Sequence, residues 1–211
     1  MHKVALVHIT PNAEQLVAKM ARVSNPANQD NPDSTGLIKY LIKHKHWSPF
    51  EMVNMCVQID TTRSIAAQIL RHRSFSFQEF SQRYAKVDRN ISPPNIRRQD
   101  TKNRQNSIDD INEFTVQEFQ LKANQLFDMS RHLYDEMLSA GIAKECARDV
   151  LPLCSPTTMY MNGTIRSFLH YCDLRCGNGT QYEHKLIADQ VKAILNKQLP
   201  AISRAMWAEP D

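Results

Sequence analysis

Glycine is scarce in this chain. Gly36, Gly141, Gly163, Gly177 and Gly179 are the only ones in 211 residues, and neither GxGxxG nor GxxxxGK[ST] can be drawn through them. A phosphate bound here must therefore be held by side chains and not by a glycine-rich loop. Cysteine is scarce as well. Cys56, Cys146, Cys154, Cys172 and Cys176 are odd in number and form no CxxC pair, which excludes a disulfide framework and fits a reducing compartment. No apolar run approaches the roughly 20 residues that cross a bilayer. The opening "MHKVALVHITPN" is too short and wrongly flanked for a signal peptide, so a cytoplasmic protein without membrane association is expected. Charge of one sign is not in large excess, and a net charge of +4 only mildly favours anionic partners. The length suits one domain spanning residues 1–211.

What the chain does have is concentrated in "RHRSFSFQEFSQRY", residues 71 to 84. Arg71, His72, Arg73 and Arg83 repel one another unless an anion sits between them. Arginine forks bind phosphate bidentately, and Ser81 adds a neutral donor. Glu79 supplies a counter-charge nearby.

Hydrophobic periodicity predicts strands at 2–9 and 52–60, the latter with Val53, Met55, Val57 and Ile59 on its buried face. Helices are predicted at 12–24, capped by Asn12, and at 35–46, closed by the turn "WSPFE". A further helix at 61–72 buries Ile65, Ala66, Ile69 and Leu70 and carries Ser64, Gln68 and Arg71 on its opposite face. It ends near His72, because continuing it would put Arg73 in the apolar stripe. Residues 81–87 alternate as a strand with Ser81 and Arg83 on one face. Residues 88–106 are polar, basic and proline-broken, the composition of a lid loop. Ser107 and Asp110 form a capping box for a long central helix closed by Gly141. Then come a short helix at 143–150 with Glu145 and Arg148 on one face, a strand at 157–162, and helices at 164–175 and 181–199. The expected class is α+β: a small antiparallel sheet packed with helices.

Three further groups of residues invite a role. His44, His46 and Glu51 have H-x-H spacing, but no complementary ligands follow downstream, so no metal is expected. Cys154 in "LPLCSP" has no adjoining histidine and reads as a core cysteine. Arg166, His170 and Asp173 share a helix face with Arg175 at its end. With Arg148 they would form a second basic wall around the same anion.

Residues 71–83 satisfy RHR-x7-S, and "ARVSNP" at 21, "HWSPFE" at 46, "ECARDVLPL" at 145 and "GTIRSFLHYCDLR" at 163 accompany it in order. From about residue 20 to beyond 190 the chain resembles the flavin-dependent thymidylate synthases, also called thymidylate synthase complementing proteins. Two positions depart from the commoner pattern: Gln78 stands where many members have asparagine, and Met52 where many have histidine.

The resemblance implies an α+β fold, a homotetramer with shared active sites, and conversion of dUMP to dTMP. Methylenetetrahydrofolate would be the carbon donor, FAD the hydride carrier and NADPH the reductant. It implies no cysteine nucleophile. Arg71 would lie between FAD and nucleotide, and His72 and Arg73 would hold FAD. Gln68, Glu79, Ser81, Arg83 and Arg148 would surround dUMP. Arg175 would contact the uracil and stabilise its anion. Ser24, His46, Ser48, Gln78, Glu79, Arg166 and His170 would lie on the FAD side. Arg175, Ser81 and Arg71 are the positions nearest the chemistry, with Ser81 assigned to nucleotide binding because an unactivated serine is a poor nucleophile. The competing reading is a nucleic-acid-binding module using the basic 71–106 region. A net charge of only +4 and the lack of a recognised binding motif oppose it. A metal-dependent phosphohydrolase using His44 and His46 lacks a further ligand set.

Overall fold

The computed structural model describes residues 2–87 and 90–208. In chain order its elements are β1 (Lys3–Ile9), α1 (Ala13–Ala21), α2 (Thr35–Lys43), β2 (Asn54–Thr62), α3 (Arg63–Ile69) and β3 (Phe75–Glu79). There follow β4 (Arg98–Gln99), β5 (Ser107–Ile108), α4 (Glu113–Ser139), α5 (Lys144–Ala147), β6 (Pro156–Thr164), α6 (Ile165–Arg175), α7 (Tyr182–Gln198) and α8 (Pro200–Trp207). The fold is α+β, as the alternation of periods predicts.

The main sheet is antiparallel throughout, in the order β1-β2-β6-β3. Its strands come from both halves of the chain, since β6 inserts between β2 and β3. Register aligns Val57 and Phe77 with Met161, and Ile59 and Glu79 with Met159. Met55, Val57, Ile59, Met159 and Met161 are fully buried there, against Ile65 of α3, Phe168 of α6 and Ile187 of α7. Period two then dictates that Ser76, Gln78 and Tyr160 point off the other face. Tyr160 is 41% exposed there.

Several local expectations fail for identifiable reasons. Residues 81–87 form a turn, not a strand. Their alternation is real, but the pairing edge of β6 is already taken by Phe75–Glu79. Ser107 and Asp110 do not cap α4. Asn112 does, accepting from the Thr115 N–H at 2.9 Å, while Ser107 lies in β5 and Asp110 binds Arg98 at 2.5 and 2.8 Å. Asn12 starts α1 from a left-handed conformation (φ 52°) without a side-chain cap. Leu70 is 40% exposed because α3 stops at Ile69. The expected lid loop is partly built: Arg98–Gln99 and Ser107–Ile108 pair as a hairpin, and Asp88 and Arg89 lie outside the described residues. Gly141 closes α4 with φ +81°, a conformation that glycine adopts without the strain a side chain would bring.

Candidate active site

The turn after α3 places His72 on the core. Its half-buried ring stands edge-on to Tyr171, with centroids 5.0 Å apart, and to Phe75 at 6.5 Å. Arg175, the last residue of α6, donates its Nε–H to His72 Nε2 at 2.9 Å. His72 Nε2 is thus an acceptor and its proton sits on Nδ1. Burial first, then the Arg175 charge, holds the ring down to about 4 from its ordinary 6.5. His72 is therefore a neutral orienting group, not part of a cationic cluster. The hydrogen bond fixes Arg175, and among the described residues its terminal nitrogens carry no bond.

Gln68 faces the same region from α3. Its amide N–H donates to Gln181 Oε1 at 2.5 Å, and its Oε1 lies 3.3 Å from His184 Nδ1. Behind it, His184 Nε2 is 3.1 Å from the Tyr171 hydroxyl. Gln181, Tyr171 and His184 escape motif reasoning. His184 could have been found by spacing, since it falls on the α7 stripe of Ile187, Ala188, Val191 and Leu195.

Beside this turn lies a cavity of about 420 Å³ lined by Trp47, Ser74, Arg166, His170 and Asp173. Arg166 is ion-paired with Glu51, and Asp173 accepts from the Trp207 indole at 2.8 Å. Trp47 presents an aromatic surface between cationic or polar groups, which suits a planar ring system with an attached phosphate chain. A volume at the low end of ligand cavities would seat part of a dinucleotide.

A second cavity, about 330 Å³, is lined by Arg63, Gln82, Arg148, Asp149 and Ser155. Glu79 reaches toward it from the buried sheet face, held by Arg63 at 2.6 Å and by the Thr157 hydroxyl at 2.9 Å. Arg63 also escaped sequence reasoning. The available signal was a cation at the first position of a helix, where the dipole disfavours it. Within one chain Arg148 therefore lines a different cavity from Arg166 and His170. Two cavities separate them, because α5 and its following turn pack on α4 while Arg166 rides on α6. Nor do Glu145 and Arg148 act as a pair: Glu145 bonds Arg83 at 2.8–2.9 Å, and Arg148 approaches Asp149 at 3.7 Å.

The RHR-x7-S residues are likewise divided. Arg71, His72 and Arg73 precede β3, while Ser81 and Arg83 follow it. Five extended residues hold the two groups roughly 17 Å apart at ~3.3 Å each. One phosphate cannot bridge both ends within one chain. Ser81 sits in an exposed turn, its carbonyl accepting from the Tyr84 and Ala85 N–H groups. Ser24, His46, Ser48, Arg71 and Arg73 are exposed in or beside turns. Gln78 is exposed on the sheet face opposite Glu79. His44 and His46 stack near Tyr40, at 4.3 and 5.9 Å, not among acids. Burial raises the Cys154 thiol above its ordinary range, so it stays protonated.

Comparison with known proteins matches residues 5–201 to the family model described as thymidylate synthase complementing protein. The chain is 52% identical over 195 residues to a probable flavin-dependent thymidylate synthase of Paramecium bursaria Chlorella virus 1, covering 92% of this chain and 90% of that protein. It is 50% identical over 193 residues to a flavin-dependent thymidylate synthase of Synechocystis sp., covering 92% and 89%. Its fold superposes on the crystal structure of a UMP/dUMP methylase from Streptomyces cacaoi bound with 5-Br dUMP, with TM-score 0.86 and 26% identity over 97% of this chain and 94% of that one.

Proposed function

The chain belongs to the thymidylate synthase complementing family, the flavin-dependent thymidylate synthases, and from that premise we propose that it catalyses the reductive methylation of dUMP to dTMP. Methylenetetrahydrofolate donates the carbon, and NADPH is the reductant. FAD, when bound, supplies the hydride chemistry. The observation that carries this reading is Arg175 locked by His72 at 2.9 Å, next to Gln68 and beside an aromatic, cationic cavity.

This chain's residues then bind and orient. Trp47, Arg166 and His170 would hold part of FAD in the first cavity, with Arg71 and Arg73 at its margin. Arg175 presents its terminal N–H groups to the uracil and stabilises negative charge developing on a ring carbonyl. His72 stays neutral and keeps that guanidinium aimed. Arg148 and Glu79 border the second cavity and, with Ser81 and Arg83, would receive the nucleotide. Neither Cys154, whose thiol is kept protonated by burial, nor Ser81, which has no neighbouring base, is assigned an attack on the ring.

The roughly 17 Å between the two ends of the motif implies that one active site draws its ends from different subunits. The exposed apolar residues of α4 support that. Phe119 (50% exposed), Leu126 (62%) and Leu133 (46%) recur every seventh residue with Met129 (71%) between them, the pattern of a helix seam awaiting another helix. We assign this seam to a homotetramer in the cytoplasm. The nucleic-acid alternative loses much of its charge, because Arg83, Arg97 and Arg98 are each paired with a carboxylate.

An absorbance spectrum of the purified protein, followed by tritium release from dUMP labelled at the ring carbon that is methylated, tests the reading. A flavin spectrum and release that requires both methylenetetrahydrofolate and NADPH are expected. A flavin-free protein, or one that releases no tritium with all components present, overturns it.

A further inference from the structure

Behind Gln68 lies a buried pair that the proposed reaction leaves without work. His184 and Tyr171 are both 0% exposed, and polar groups are kept at such depth only when each is satisfied. The Glu183 carboxylate sets the orientation of every member. It accepts from Gln181 Nε2 at 2.9 Å, so Gln181 Oε1 faces Gln68 and receives its N–H at 2.5 Å. That turns Gln68 Oε1 toward His184. Gln68 Oε1 can only accept, so His184 Nδ1, 3.3 Å away, must carry the proton. His184 Nε2 is then an acceptor, and the Tyr171 hydroxyl donates to it at 3.1 Å. Burial, the largest cause, and the nearby Arg175 hold the His184 ring down to about 3, so this single neutral tautomer persists over the working range. Tyr171 is itself fixed, with His72 edge-on to its ring at 5.0 Å.

The consequence falls on Gln68. A glutamine amide can flip end for end at little cost when nothing distinguishes its oxygen from its nitrogen. Here the oxygen is claimed by His184, and one N–H is claimed by Gln181 at 2.5 Å. The remaining N–H is the one donor Gln68 can still offer to a ligand. We propose that His184 is a positioning residue that, from the side opposite Gln181, holds the Gln68 carboxamide donor-outward, so that the site meets the nucleotide with an N–H matched to a carbonyl or phosphate oxygen. The inference rests on the nucleotide reading above and adds a determinant of affinity that lies outside direct contact with the ligand.

The test is a double-mutant cycle on the FAD-loaded protein, with dUMP affinity read by calorimetry and stability by thermal unfolding. His184→Leu frees Gln68 Oε1 and leaves the Gln181 bond as the one restraint on the amide, so the remaining N–H is held less firmly toward the ligand. It should weaken dUMP binding by about fivefold to tenfold, the effect of losing one well-placed hydrogen bond. Gln68→Ala should weaken it at least as much. The double variant should bind no more weakly than Gln68→Ala alone, because His184 acts through Gln68. Its loss of thermal stability should instead exceed that of Gln68→Ala alone, since the burial lost at position 184 does not depend on Gln68, with only their shared bond counted once. Additive losses of affinity, or an unchanged affinity in His184→Leu, overturn the proposal. If His184→Leu does not fold, Tyr171→Phe keeps the ring packing and removes the bond that holds the far side of the His184 ring, leaving it freer to turn away from Gln68. About threefold weaker binding that vanishes in the Gln68→Ala background supports the proposal, and its absence overturns it. Wild-type protein that retains flavin but binds no dUMP removes the nucleotide reading itself, and this inference with it. Normal wild-type binding with an additive cycle removes only the role of His184.

Discussion

His72 shows how a single residue changes meaning once its neighbours are known. Beside two arginines in sequence it reads as a third cation, yet burial and Arg175 make it a neutral acceptor. That has a consequence for stability. In the unfolded chain His72 and His184 take up protons near their ordinary 6.5, while the folded rings resist protonation down to about 4 and about 3. Below 6.5 the unfolded state thus binds more protons, so stability is complete above that pH and is lost progressively as pH falls toward 4 and 3. Each such group contributes a slope of up to about 1.4 kcal/mol per pH unit. Unfolding temperatures measured from pH 7.5 to 4 should fall, and should fall less steeply in His184→Leu; parallel curves would remove His184 from the explanation. Cys154 gives a second prediction at this scale. Its thiol is raised by burial, so Cys154→Ala should keep its turnover and its flavin and lose about 1 kcal/mol of stability. A folded, flavin-loaded but inactive variant would contradict a mechanism without a cysteine nucleophile.

At the scale of elements, the close approach of β3 to β6 sets the position of the turn that carries His72. Gly163 of β6 faces Phe75, whose ring would lie 2.5 Å from an added Cβ. Phe75 has nowhere to move, being wedged edge-on against Phe168 at 4.9 Å and Tyr171 at 6.0 Å. Gly163→Ala should therefore cost about 1–3 kcal/mol through overpacking. That lowers the unfolding temperature by roughly 2–4 °C per kcal/mol for a chain of this size. Because His72 lies three residues before Phe75 with its ring edge-on to it at 6.5 Å, flavin retention should fall as well. A variant with wild-type stability would mean that the ring is freer than its contacts indicate. The hairpin of β4 and β5 is anchored in a comparable way. Arg97 reaches Glu183 at 2.7 Å and lies over the Tyr182 ring at 5.0 Å, which ties the basic segment to α7 and spends its charge internally.

For the whole molecule, the decisive feature is what one chain leaves uncovered. Of the 27 residues of α4, only Tyr134 is buried, while its seam of Phe119, Leu126, Met129 and Leu133 faces outward. On the proposed reading a neighbouring chain covers this seam and brings the divided motif ends together in one site. Placing a charge on the seam with Leu126→Asp should dissociate the assembly in analytical ultracentrifugation. Turnover should be lost with it, while each chain keeps its helical signal. A variant that stays assembled and active would show that α4 is not the contact.

The α+β class, the buried faces of β2 and α3, the end of α3 before Arg73 and the glycine stop of α4 were legible in the sequence, because each depends on local periodicity or on one residue's backbone preference. The RHR-x7-S motif and the four that accompany it in order also pointed, by resemblance, to the correct family. Tertiary structure decided the rest. Whether residues 75–79 or 81–87 became the strand depended on which could pair with β6 while burying Phe75 and Phe77. The protonation of His72, the partner of Glu79, the assignment of Arg148 and Arg166 to different cavities, and the recruitment of His184 and Tyr171 all arise between residues distant in the chain. Periodicity records which side of an element is buried, and not which neighbour it will be buried against.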